Sequence, residues 1–146
     1  MKIVASNKRA RFDYDILEEI EAGIILTGQE VKSCRQGHVH LSGAYVSMLS
    51  GKPVLKNATI DPYRYASDLD SYDKLRDREL LLKTREIDRM IGKVQEKGMS
   101  ILPLEVRCGR TIKVLLGLGR GRKKYDKRQR IKEREVKKRL RKGEEV

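Results

Sequence analysis

The uneven distribution of charge is the feature that most constrains what this chain can fold into. Residues 120–146 contain 14 Lys and Arg against 5 Asp and Glu, a net charge of +9, whereas residues 1–119 carry +4. Between positions 123 and 142 the apolar side chains are Tyr125, Ile131, Val136 and Leu140. So few side chains cannot offset an ordering cost of about 1–2 kcal/mol per residue. We therefore expect a folded body over residues 1–119 and a basic tail over residues 120–146 that is disordered when free.

The tail is expected to become helical when a polyanion neutralises its charge. Its i,i+4 pairs Glu133–Lys137 and Glu135–Arg139 each favour a helix by about 0.2–0.5 kcal/mol. Nucleic acid is the predicted partner, and an anionic membrane surface is the alternative. If about six phosphates are neutralised, affinity should fall about a thousandfold between 50 and 200 mM salt.

The apolar segments argue against a membrane protein. No apolar run approaches the roughly 20 residues that span a bilayer, and no signal-peptide segment follows Met1. Cys34 and Cys108 are far apart and lack a CxxC partner, as is usual in a reducing compartment. We expect a cytoplasmic, monomeric protein without membrane association.

The body is predicted to be mainly β with short helices. Strands are predicted at Arg11–Ile16, 44–49 and 54–58, a short buried strand or turn at 80–82, and a hairpin at 102–108 and 112–118. The polar stretch 61–79 is predicted to be an extended loop that is mobile or ordered by a partner. Five or six short strands favour a small, closed or partly open β-barrel, for which the OB type is a natural candidate. The strand pattern alone does not exclude other small barrels.

Two helices are predicted within the body. Thr27 and Glu30 form a capping box that predicts a helix near 28–36, and Gly37 is placed to end it. The apolar residues from Ile87 to Val94 recur at i, i+3, i+4 and i+7, which predicts a helix near 84–97.

The sequence lacks the residue patterns that common enzymes require. It contains no GxSxG, Walker, HExxH or GxGxxG motif. Cys34 and His38 could begin a metal site, but no further Cys or His apart from His40 lies nearby to complete it. We therefore predict a binding protein with no catalytic residues, no cofactor and no metal.

Several sequence blocks together resemble one family. They are Asn7-Lys8-Arg9-Ala10, Glu21-Ala22-Gly23, Thr27 to Gly37, Asn57 to Tyr63, Arg78 to Leu82 with Arg85-Glu86-Ile87, and Gly121 to Arg128. The sequence is similar to the SsrA-binding proteins (small protein B) of bacterial trans-translation from about residue 7 to residue 140. The resemblance implies an OB-type barrel that binds the tRNA-like domain of transfer-messenger RNA (tmRNA). It also implies delivery of that RNA to stalled ribosomes for rescue and peptide tagging, with links to elongation factor Tu and alanyl-tRNA synthetase.

The resemblance also implies roles for individual residues in the body. The tmRNA-binding residues would be Asn7, Lys8, Arg9, Ala10, Glu21, Lys32, Leu81 and Lys83. Alternatives stay open for three of them: Glu21 orders a loop, Leu81 belongs to the core, and Lys32 is a solvated helix lysine.

The tail is implied to enter the mRNA path of the small subunit as a helix. The residues implied to contact small-subunit rRNA at the decoding centre are Gly121, Lys123, Lys124, Tyr125, Asp126, Lys127 and Arg128. Tyr125 would stack on an rRNA base or, alternatively, pack back on the barrel. The chain departs from the family pattern at Lys74, Glu79 and Lys83, within the segment 73–83 where RNA contacts are predicted.

Overall fold

The computed structural model describes residues 1–66 and 69–122, so the predictions for positions 123–146 lie outside the described residues. The elements in chain order are β1 (Lys2–Ser6), α1 (Lys8–Asp13), β2 (Tyr14–Ile24), α2 (Gly28–Arg35), β3 (Val39–His40), β4 (Tyr45–Ser47), β5 (Val54–Lys56), β6 (Thr59–Ile60), a 3₁₀ helix (Leu69–Ser71), β7 (Arg78–Leu81), α3 (Thr84–Val94), β8 (Met99–Cys108) and β9 (Ile112–Gly121). The prediction of a mainly β fold with short helices is confirmed.

Seven strands form one antiparallel sheet in the order β1-β8-β9-β2-β7-β5-β4, and β3 pairs with β6 separately. The predicted hairpin is its centre, since β8 and β9 pair from Met99–Arg120 to Cys108–Ile112. Strand β4 packs against β8, so the sheet curls. Within residues 1–66 and 69–122 the end strands β1 and β4 do not pair with each other, and the sheet therefore stays open rather than closing as a hydrogen-bonded barrel.

Each face of the sheet buries an apolar cluster. The inner face carries the main core, which includes Ala22, Val114 and Leu116 from the strands and Met90 from α3. The outer face carries a smaller cluster beneath α1, formed by Ala10, Leu102, Leu104 and Leu115. The alternation of side chains along β8 and β9 supplies both clusters at once.

The two predicted helices are present. In α2 the Thr27 hydroxyl accepts a hydrogen bond from the Glu30 N–H at 3.3 Å, and the Glu30 carboxylate accepts one from the Thr27 N–H at 2.9 Å. Gly37 follows this helix with a φ of +79°, a left-handed conformation that suits glycine. Helix α3 ends at Val94, before the predicted end at residue 97.

The predicted strand Arg11–Ile16 is wrong in its first half. Residues Lys8–Asp13 are helical, and the strand begins only at Tyr14. The Asn7 carboxamide oxygen accepts a hydrogen bond from the Ala10 N–H at 3.1 Å, so Asn7 caps a helix start. This cap prevails over the apolar alternation of Phe12, Tyr14 and Ile16. Strand β1 was not predicted.

The described part of residues 61–79 makes more contacts than the predicted extended loop would. The Tyr72 hydroxyl donates to the Ile60 carbonyl at 2.6 Å. Arg78 is fully buried and donates to the Glu30 carboxylate at 2.7 Å, and Arg76 donates to the same carboxylate. These bonds fasten the segment to α2 and β6.

The end of β9 extends the body beyond the predicted boundary. Arg120 pairs with Asp15 and Gly121 pairs with Tyr14. The boundary predicted after Gly119 therefore falls inside a paired strand. In the described ranges, no helix has the length and apolar content needed to cross a membrane.

Candidate nucleic-acid interface

The first predicted block, Asn7 to Ala10, contains two buried residues and two exposed ones. Asn7 is 5% exposed, and its carboxamide donates to the carbonyls of Pro103 at 2.9 Å and Leu41 at 3.3 Å. Ala10 is buried in the outer-face cluster. These two residues fix α1 on β8, whereas Lys8 and Arg9 face solvent.

Arg9 is held in place on the exposed side of α1. Its guanidinium pairs with the Asp13 carboxylate at 2.9 Å and lies 5.5 Å from the centre of the Phe12 ring. The side chain remains mostly exposed, so the arrangement orients a cation at the surface without burying it. Such a cation can contact a phosphate.

A chain of ion pairs crosses the outer face of the sheet from α1 to Glu21. Arg11 pairs with Glu19 at 3.2 Å and with Glu105 at 3.6 Å. Arg107 continues the chain, lying 2.9 Å from Glu105 and 3.5 Å from Glu21. Glu21 therefore lies on the strand surface and does not order a loop. Its carboxylate can accept hydrogen bonds from the amino groups of a base.

Leu81 is part of this face and not of the core. It pairs with Gly23 in the register of β7 on β2, and its side chain is 54% exposed. A Cβ atom on Gly23 would lie 3.2 Å from the Leu81 Cβ, so the absence of a side chain gives Leu81 room on the sheet. Gly23 in turn pairs with Lys113, which places an apolar and a cationic side chain in one row.

Lys83 and Lys32 lie outside this row. Lys83 is exposed at the N-cap of α3, where its N–H donates to the Glu86 carboxylate at 3.0 Å. Lys32 is on α2, and its ammonium lies 5.2 Å from the centre of the Tyr63 ring. Lys32 is therefore ordered by an aromatic ring rather than simply solvated.

Gly121 is the one predicted decoding-centre residue within the described part of the chain. Its N–H donates to the Gly98 carbonyl at 3.1 Å, and the Arg122 N–H donates to the Asp13 carbonyl at 2.8 Å. The backbone is thus fastened on both sides where β9 ends. Lys123, Lys124, Tyr125, Asp126, Lys127 and Arg128 lie outside the described residues.

The chemistry of the buried cysteines differs from that of a metal or nucleophilic site. Burial and the neighbouring Cys108 raise the pKa of the Cys34 thiol to about 12, so it stays protonated near neutrality. Within the described ranges, no group of three or more His, Cys, Asp and Glu side chains is placed to hold a metal ion.

Sequence reasoning missed the residues that organise the outer face. Arg11, Glu105 and Arg107 belong to none of the blocks quoted above, yet they connect α1 to Glu21. The alternation of Glu19 and Glu21 with apolar Ile20 and Ala22 could have indicated an outward acidic row that needs cationic partners.

Comparison with known proteins places this chain in a family. The family model described as "SmpB protein" matches residues 4–145. The chain belongs to the SmpB family. Similar SmpB-family proteins include the SsrA-binding protein of Synechococcus sp. (strain JA-2-3B'a(2-13)), which is 48% identical over 137 residues that cover 93% of this chain and 89% of the relative. The SsrA-binding protein of Chloroflexus aggregans is 47% identical over 92% of this chain and 85% of its own length.

A solved SmpB structure agrees with the fold as well. It is described as "tmRNA-SmpB: a journey to the center of the bacterial ribosome" and superposes with a TM-score of 0.69. The two chains are 43% identical, and the match covers 85% of this chain and 87% of that one. The family resemblance read from the sequence motifs is therefore confirmed.

Proposed function

We propose that this chain binds SsrA RNA, the tmRNA of trans-translation, and acts with it on stalled ribosomes. The observation that carries the proposal is the match to SsrA-binding proteins at 46–48% identity over more than nine tenths of the chain. The relatives are named for binding, which agrees with the prediction of a binding protein rather than an enzyme. The cytoplasm, where ribosomes work, is the proposed compartment.

The outer face is the proposed tmRNA surface. Lys8 and Arg9 supply cations for phosphates, and Glu21 supplies an acceptor for base amino groups. Leu81 supplies an exposed apolar contact beside them, and Lys83 adds a cation at the end of β7. Asn7 and Ala10 act indirectly, because they are buried and hold α1 in place. We assign Lys32 to a neighbouring contact rather than to this face.

The tail supplies the proposed ribosomal contact. Its net charge of +9 over residues 120–146 suits rRNA, and Tyr125 supplies an aromatic ring that stacks on a base. Joint delivery with elongation factor Tu and dependence on alanyl-tRNA synthetase belong to the same proposal.

The body is tested with two leucine variants. Leu81→Ala should weaken binding to the tRNA-like domain of tmRNA with only a small loss of stability, because more than half of the residue is exposed. Leu49→Ala is the matched control, since Leu49 is 99% exposed elsewhere on the molecule. Fluorescence anisotropy with labelled RNA measures both. If the two variants had equal affinities for the RNA, Leu81 would not belong to the tmRNA surface.

The tail is tested by truncation after Arg122, which leaves β9 intact. The truncated protein should still bind the tRNA-like domain but should not support peptide tagging on stalled ribosomes. Tyr125→Ala and the triple variant Asp126→Ala, Lys127→Ala, Arg128→Ala should impair tagging and spare tmRNA affinity. A loss of tmRNA affinity on truncation would contradict this division of roles.

The strongly basic composition also fits a general RNA- or DNA-binding module that acts mainly through the tail. Competition separates the two functions. If the chain is an SsrA-binding protein, bulk DNA should displace bound tmRNA poorly. If it is a general module, bulk DNA should displace bound tmRNA as effectively as unlabelled tmRNA does.

A further inference from the structure

A second set of aromatic and basic side chains lies apart from the outer-face row. We call Lys32, Tyr63, Arg64 and Tyr65 the tyrosine patch. The two tyrosine rings meet edge to face, with centroids 5.5 Å apart and an interplanar angle of 69°. The Lys32 ammonium lies 5.2 Å from the centre of the Tyr63 ring, and the Arg64 guanidinium lies 5.3 Å from the centre of the Tyr65 ring. Each ring therefore has a cation beside it.

The backbone of the tyrosine patch is held by α2. The Tyr63 N–H donates to the Gln29 side-chain oxygen at 2.9 Å, and Gln29 is in the first turn of the capped helix. The Ala66 N–H donates to the Tyr63 carbonyl at 3.0 Å, which closes a turn around Arg64 and Tyr65. A partner that binds here pays less to order the loop than it would on an unsupported segment.

The exposure of Tyr65 indicates a contact with a partner rather than a role in the core. Its side chain is 71% exposed, so little of its ring area contributes to folding. A carboxylate also lies nearby in sequence, at Asp61, and it pairs with the His40 ring at 3.3 Å. Lys32 and Arg64 flank the aromatic surface, in a chain of net charge +13.

We infer that the tyrosine patch binds an unpaired RNA base, which stacks on Tyr65 while Lys32 and Arg64 contact the flanking phosphates. Every base presents a π-face, so an aromatic ring between cations binds unpaired RNA with little dependence on sequence. This inference rests on the proposed function and extends it from the outer face to the segment after β6. The base belongs either to tmRNA or to ribosomal RNA, and both present the same chemistry.

The test compares Tyr65→Ala with Tyr65→Phe in the full-length protein. Tyr65→Ala should bind RNA about 5- to 150-fold more weakly, the range that one stacked base supplies. Tyr65→Phe should bind like the wild type, because the ring is kept. Leu49→Ala is the control, since Leu49 is fully exposed and lies outside the tyrosine patch. Affinities are measured separately for the isolated tRNA-like domain of tmRNA and for purified ribosomes. A loss with the first places the base in tmRNA, and a loss with ribosomes alone places it in rRNA.

The dependence on salt separates stacking from charge. Tyr65→Ala should leave the slope of log affinity against log salt unchanged, whereas Arg64→Ala should reduce its magnitude by about one. Unchanged affinity of Tyr65→Ala for both RNAs would overturn the inference. If Leu81→Ala nevertheless lost affinity for tmRNA, the proposed function would stand without the tyrosine patch.

Photo-cross-linking tests the patch independently of any variant. Wild-type protein irradiated with tmRNA or ribosomes that carry 4-thiouridine should yield a cross-linked peptide that contains Tyr65. Cross-links confined to the outer face and the tail would refute the patch.

Discussion

Replacement of Glu30 by Gln should destabilise this protein far more than its single lost charge suggests. The Glu30 carboxylate is buried and accepts hydrogen bonds from Arg76 and from Arg78, whose side chain is also fully buried. Glutamine keeps the size of the side chain and can still serve the capping box with Thr27. The substitution therefore isolates the charge and leaves Arg78 as an uncompensated buried cation. Breaking such a pair from one side costs about 3–5 kcal/mol.

The assay is urea unfolding followed by circular dichroism, with the free energy of unfolding extrapolated to water. Glu79→Gln is the matched control, because Glu79 forms a long, exposed pair with Lys52 at 3.9 Å. Its loss should cost less than about 1 kcal/mol. A double variant, Glu30→Leu with Arg78→Met, should recover stability relative to either single change, since both charges are then absent. Equal losses for Glu30→Gln and Glu79→Gln would refute this account.

The same group predicts a dependence on pH. Burial raises the pKa of Glu30, but the hydrogen bonds from Arg76, the Thr27 N–H and Arg78 outweigh burial and lower the pKa below its ordinary value of 4.5. A lowered folded-state pKa contributes stability that is fully present above the unfolded value and is lost as the pH falls through the folded value. Acid titration of stability should therefore show a drop below pH 4.5 in the wild type that is smaller in Glu30→Gln.

Two further predictions concern glycine and cysteine. Gly117→Ala should destabilise by about 1–3 kcal/mol, because its Cβ would lie 2.7 Å from a Leu104 methyl group, whereas Gly92→Ala in α3 meets nothing within 4 Å and should stabilise by up to about 1 kcal/mol. Thermal melts of both variants test whether the two changes in stability have opposite signs. Cys34 and Cys108 are buried and both have a raised pKa, chiefly through burial, so iodoacetamide at pH 8 should label neither thiol until urea unfolds the protein. Labelling of the native protein, followed by mass spectrometry, would contradict their burial.

Local signals in the sequence predict much of the fold. The capping box of Thr27 and Glu30 predicts α2, because both partners lie within one turn. The alternation of apolar residues on either side of Gly109 predicts the β8–β9 hairpin, because the two strands are neighbours in sequence and are joined by a short turn. Helix α1 depends instead on Asn7, whose carboxamide is fixed by Pro103, 96 residues away. The apolar alternation of Phe12, Tyr14 and Ile16 therefore predicted a strand where the segment begins as a helix.

The buried charges could not be predicted from local patterns. Arg78 stands in a polar stretch that looks solvent-exposed, and its partner Glu30 lies 48 residues earlier. A residue that serves a capping box gives no sign that it also neutralises two arginines.

The candidate surface shows the same limit. The motifs identified Lys8, Arg9, Glu21 and Leu81, and the structure brings them to one face through pairings of distant strands. The connecting Arg107 acquires its place only from the register of β8 against β9.

The anchored end of β9 has a consequence for the evolution of chain length. The side chains of successive strand residues point to opposite faces of the sheet, so a shift of one residue moves every later side chain of the strand to the other face. One residue inserted between Leu118 and Gly121 would reverse that alternation and would move the Gly121 and Arg122 N–H groups out of register with their acceptors, the carbonyls of Gly98 and Asp13. Two inserted residues would restore the alternation while lengthening the strand by roughly 7 Å. Selection should therefore act against single-residue insertions between Leu118 and Gly121.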